Sequence, residues 1–125
     1  MRNGKYVVLT VDDDQDVITG VTMVLEANGY IVESALSGKA GLAKYVECDP
    51  DFVLIDMMME SITAGIDLAV ALKALGKKPV YMLSSMADGL TQLADPSSQG
   101  LDGTLQKPLD PEVLLDILRT RLPWG

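Results

Sequence analysis

Short apolar runs alternate along the chain with segments of helical period. Tyr6-Val7-Val8-Leu9-Thr10-Val11 is β-branched and almost continuously apolar, the pattern of a strand buried on both faces. Asp12-Asp13-Asp14 breaks that run, and Val17, Ile18, Val21, Val24 and Leu25 then recur at helical spacing up to Asn28-Gly29. Ile31-Val32-Glu33-Ser34 reads as a second strand. Ser37 is placed to cap a helix that carries Ala40, Ala43 and Val46 inward, and Asp49-Pro50 ends it. Phe52-Val53-Leu54-Ile55 predicts a third buried strand ending at Asp56. After a loop over 57–64, Gly65 opens a helix with Ile66, Ala69, Val70 and Lys73 on one side and Leu68, Leu72 and Leu75 on another. Gly76 stops it. Pro79-Val80-Tyr81-Met82-Leu83 is a fourth strand, ending at Ser84-Ser85. Residues 86–100 are weakly patterned: a helical turn or two around Leu90 and Leu93, then loop-like Asp95-Pro96-Ser97-Ser98, a stretch expected to be mobile without a partner. Thr104-Leu105-Gln106 is a short fifth strand before Lys107-Pro108. Asp110 caps a last helix with Pro111 at its first position, Glu112 favouring the dipole, and Leu114, Ile117, Leu118 and Arg121 giving its period.

Five strands alternating with helices predict an α/β domain. Right-handed crossovers put helices on both faces of a doubly wound five-stranded parallel sheet, order 2-1-3-4-5, a flavodoxin-like three-layer sandwich. Its ligand crevice lies at the carboxyl ends of strands 1 and 3. The 125 residues suit a single domain over 1–125, with its core over 5–122 and no output domain in this chain.

Composition narrows the chemistry. There is no His, which removes imidazole bases, Ser-His-Asp and Cys-His arrangements and His-containing zinc sites. A single Cys excludes an intramolecular disulfide. With no signal-like cleavage site and no apolar run near the ~18 residues that span a bilayer, a cytoplasmic, reducing location is expected, and Cys48 reads as a quiet thiol. The net charge of -8 argues against direct nucleic-acid binding and against adhesion to anionic membranes.

The polar residues converge. Strand 1 ends at Asp12, Asp13 and Asp14, strand 3 at Asp56, strand 4 at Ser84 and strand 5 at Lys107, and the strand order makes these ends neighbours at one rim. Asp14 and Asp16 fit ordinary capping and loop roles. Asp12, Asp13 and Asp56 together carry three negative charges that Mg²⁺ and Lys107 would balance. A carboxylate at a strand end can attack a phosphoryl group and become an aspartyl phosphate. Ser84 is within reach of the bound group, and Lys107 would neutralise charge on its oxygens.

The segments Val8-Leu9-Thr10-Val11-Asp12-Asp13-Asp14, Pro50 through Met59, Pro79 through Ser85 and Gly100 through Asp110 resemble, taken together, the receiver domain of two-component response regulators. The resemblance implies that Asp56 is the phosphoacceptor, charged from the phosphohistidine of a sensor histidine kinase or phosphotransfer protein. It implies that Asp12, Asp13, Asp56 and the Met58 backbone carbonyl hold Mg²⁺, with Mn²⁺ able to substitute. Ser84 matches the switch hydroxyl and Lys107 the phosphoryl-pairing lysine. Such a domain assists its own phosphotransfer without being an enzyme in the ordinary sense. It signals to a downstream protein target through the face of its fourth helical segment, fifth strand and last helix, as a monomer or weak dimer. Three positions depart from the family pattern. Glu60 stands where Pro is usual, Ala64 where Asp is common, and Thr104 at the switch position three before Lys107, usually Tyr or Phe. Met58 and Met86 are expected to flank the phosphorylated Asp56 and slow attack by water.

Two other functional classes fit parts of the pattern. One is a phosphorylation-independent interaction domain that keeps the fold. The other is a haloacid dehalogenase-like phosphohydrolase, against which stand the lack of an acidic pair after Lys107 and of room for a cap. A flavin-binding electron carrier shares the strand order, but the acidic first loop here lacks the Gly, Ser and Thr donors of a phosphate cradle.

Overall fold

The computed structural model describes residues 2–56, 64–76, 78–84, 103–106 and 109–122. Its elements, in chain order, are β1 (Val7–Val11), α1 (Gln15–Ala27), β2 (Ile31–Ala35), α2 (Gly38–Cys48), β3 (Phe52–Asp56), α3 (Ala64–Leu75), β4 (Val80–Ser84), β5 (Gly103–Gln106) and α4 (Pro111–Arg121). The strands form one sheet in the order β2-β1-β3-β4-β5, and every pairing is parallel. The predicted topology is thus the observed one, with strand ends shifted by a residue. Residues 57–63 and 85–102, including the weakly patterned stretch after Ser85, lie outside the described residues.

Burial explains why β1 and β3 were so plain in the pattern. All five residues of each are buried, because both faces of the central strands are covered. Leu9, Val11, Val53, Ile55 and Met82 meet Tyr45 of α2 and Leu68 and Leu72 of α3 on one face. Val8, Phe52, Leu54 and Leu83 meet Val21 and Leu25 of α1 and Leu114 and Leu118 of α4 on the other. The caps fall where the sequence puts them. Asp14, Ser37 and Asp110 sit at the N-caps and accept from the backbone N–H groups of Asp16, Ala40 and Glu112.

Two helices differ from expectation. Ala40, Ala43 and Val46 of α2 face solvent, and Gly41 and Tyr45 are the buried positions. The reason is close approach. A Cβ on Gly41 would stand 2.9 Å from Val11 Cγ2 and 3.1 Å from Leu68 Cδ2, so the helix lies on the sheet through its glycine. In α3, Leu68, Ala69 and Leu72 are buried while Val70 and Leu75 are exposed. A helix on the outside of a sheet has room to bury one stripe, and α3 carries apolar residues beyond that stripe.

A feature missed in the pattern is the tight Asn3-Gly4 turn. Both residues have positive φ (55° and 78°), and Arg2 and Lys5 exchange two backbone hydrogen bonds across it, as Asn-Gly favours in two-residue hairpins. Cys48 is half-buried, and burial, then the Glu33 charge, pushes its thiol pKa up. That keeps it protonated and quiet, as expected.

Asp51 holds the start of the central pair. Its backbone N–H donates to Val7 O at 2.7 Å, and its carboxylate Oδ2 accepts from Val7 N–H at 2.8 Å. Removing the acceptor orphans a buried donor, which costs roughly 1–3 kcal/mol. Asp51→Ala is expected to lower the urea midpoint by that amount of stability, and Asp51→Asn, which keeps an acceptor, to lose less.

Candidate functional site

The ladder between β1 and β3 fixes the geometry of the rim. Val11 pairs with Ile55, so the next residues out, Asp12 and Asp56, emerge side by side from adjacent parallel strands. Asp12 N–H still bonds to Ala35 O of β2 at 3.1 Å, which carries the sheet one residue past Val11. Asp13 follows on the turn into α1. The carboxylates of Asp12, Asp13 and Asp56 each bring an oxygen within 4.8 Å of the other two. Asp12 is 1% exposed and Asp56 3%, whereas Asp13 is open to solvent. The trio is therefore a buried floor of two carboxylates with a third on the wet side.

The turn holds this arrangement. Asp14 N–H donates to Asp12 Oδ1 at 2.9 Å, and Asp16 N–H donates to Asp14 Oδ1 at 2.9 Å. These two consecutive Asx turns lock the Asp12 carboxylate and start α1 in three residues. The reading of Asp14 as a cap was right, but its backbone also positions Asp12. The signal was in the sequence, since Asp12 and Asp14 stand two apart at a strand end.

Two buried carboxylates this close repel by something of order 3 kcal/mol at an effective dielectric near 20, before counter-charge is added. A hard divalent cation suits the donor set, which is all oxygen. Ligands of Mg²⁺ stand about 2.0–2.1 Å from the ion, so two on opposite sides are about 4 Å apart. The span of the trio is close to that, and the residues fit the ion.

The other predicted residues are placed unevenly. Ser84 closes β4, one step beyond Leu83, the partner of Asp56, so its backbone reaches the same rim. Thr104 lies on β5, paired with Met82 and exposed. Lys107, Met58, Met86 and Glu60 lie outside the described residues.

The fold and the acidic rim define a doubly wound α/β domain with its crevice at the ends of β1 and β3. Residues 8–119 match the response regulator receiver domain, and the chain belongs to that family. It is 32% identical over 115 residues to the DNA-binding response regulator MtrA of Mycolicibacterium paratuberculosis, a match covering 92% of this chain and 50% of MtrA. It is 31% identical over 119 residues to Protein PilG of Pseudomonas aeruginosa, covering 93% of this chain and 87% of PilG. The chemotaxis response regulator CheY4 of Vibrio cholerae superposes with a TM-score of 0.82 at 30% identity, covering 94% of this chain and 99% of that one. The chain spans about half the length of the MtrA relatives it matches. Family membership sets the phosphohydrolase and flavin-carrier readings aside. Among the described residues, no helix is long and apolar enough to cross a membrane.

Proposed function

We propose that this receiver domain takes a phosphoryl group onto Asp56 from a phosphohistidine donor and passes the signal to a protein target. The observation that carries the reading is the Asp12, Asp13 and Asp56 cluster, within 4.8 Å at the ends of β1 and β3, in a chain of this family. An Asp56 carboxylate oxygen attacks phosphorus. A P–O bond forms as the donor's P–N bond breaks, and the imidazole nitrogen leaves with that electron pair. Asp12 and Asp13, with Asp56 and the Met58 backbone carbonyl, would hold Mg²⁺ or Mn²⁺. The bound ion supplies positive charge against the phosphoryl oxygens. Lys107 pairs with one of those oxygens, and the Ser84 hydroxyl hydrogen-bonds another. The Asp14 N–H keeps Asp12 from swinging away.

Thr104 gives the output a different form. A short hydroxyl side chain has no ring to swing between buried and exposed positions, so the switch works through Ser84 and backbone shifts, as a change in population between two states. The sensor kinase or phosphotransfer protein and the downstream target are the proposed partners, with the domain acting in the cytoplasm.

Incubation of the chain with acetyl phosphate and Mg²⁺, followed by intact-mass spectrometry, tests this. A gain of one phosphoryl mass, lost when EDTA replaces the metal, is expected. An unchanged mass with donor and metal both present would favour the phosphorylation-independent interaction domain.

A further inference from the structure

We infer that the outward face of α2 and α3 is a self-association surface on which a second copy of this chain packs. This stands apart from the phosphoryl chemistry and rests on different residues. Of the seven large apolar side chains left exposed among the described residues, five belong to this layer: Leu36, Leu42, Val46, Val70 and Leu75. Val46, Val70 and Leu75 are 69%, 51% and 57% exposed. The layer has a definite seam. Lys44 reaches Glu33 of β2 at 3.6 Å, which turns that flank of α2 to the sheet edge. The opposite flank, with Leu42 and Val46, lies toward α3, where Leu68 abuts the Gly41 position. α3 itself carries only Asp67 and Lys73 as charges, and Lys73 Nζ is drawn onto the Lys78 carbonyl at 3.1 Å. A helix this apolar on its outer side is one that something covers.

Charge selects the occupant. α2 and α3 together carry Lys39, Lys44 and Lys73 against Glu47 and Asp67, a faintly positive face on a chain of net charge -8. A strongly basic partner would be drawn elsewhere, to the rim where Asp13, Asp14, Asp16, Asp110 and Glu112 gather around the helix starts. Two copies of an acidic chain repel each other, and they approach with least opposition through the face that holds few acids. A two-fold arrangement presents the same apolar patch from both sides and closes at the dimer.

Sedimentation velocity of the whole chain over a concentration series tests the inference. The average mass should climb toward that of a dimer, and added salt should favour the dimer by screening the mutual repulsion. Val46→Glu and Val70→Glu should each move dimerisation to roughly 10-fold higher concentration, since they set like charges opposite one another. Val113→Glu, at an exposed apolar position of α4, should leave it unchanged. Circular dichroism checks that each variant is folded. A monomer at every concentration, or a dimer indifferent to both α2 and α3 substitutions, would overturn the inference.

Discussion

Asp56→Asn is expected to reduce phosphoryl uptake from acetyl phosphate, or from a phosphorylated kinase, to the assay background. The amide has nearly the shape of the carboxylate, so the packing of this 3%-exposed side chain is retained. It has no anionic oxygen to attack phosphorus, and no other described carboxylate holds the same buried place on β3. The loss will not come from unfolding. Asn at 56 relieves the repulsion with Asp12, so in metal-free buffer the variant should melt higher than the parent, by about 1 kcal/mol or more of added stability. Uptake that survives in a folded Asp56→Asn chain would mean that a different residue is the acceptor.

Removal of either of the other two carboxylates should break metal binding. Asp12→Asn and Asp13→Asn are each expected to weaken Mg²⁺ by at least about 100-fold in calorimetric titration, since even outer-shell changes at metal sites cost roughly 10–100-fold. Their effects on stability should differ. Asp12 is buried against Asp56, so its neutralisation should stabilise the metal-free fold. Asp13 is solvated, so its substitution should hardly move the melting temperature. Asp14→Ala is the informative control. It removes the cap on α1, worth about 1 kcal/mol, yet retains the three carboxylates and the backbone N–H that holds Asp12. It should lower the melting temperature and bind Mg²⁺ much as the parent does.

The sheet was legible because its central strands are buried on both faces and leave unbroken apolar runs such as Val7–Val11 and Phe52–Asp56. Strand order followed from crossover handedness, and the acid trio followed from strand order. The inner face of α2 was not legible from apolar spacing, because a glycine at van der Waals contact with Val11 sets it. Nor was the inner face of α3, since an apolar stripe left uncovered in the monomer looks in sequence like a core stripe. The unequal burial of Asp12 and Asp13 depends on how the chain turns out of β1. That turn is set by the Asp14 and Asp16 backbone hydrogen bonds, which no hydrophobicity pattern records.

Borohydride reduction of the chain after treatment with acetyl phosphate and Mg²⁺, followed by peptide mass mapping, tests the central claim most directly. An acyl phosphate is reduced to an alcohol, which marks the residue that carried the phosphoryl group. The account predicts the mark on Asp56 alone, and only when the divalent metal is present. A mark on Asp12 or Asp13, or on Asp56 equally in EDTA, would contradict it.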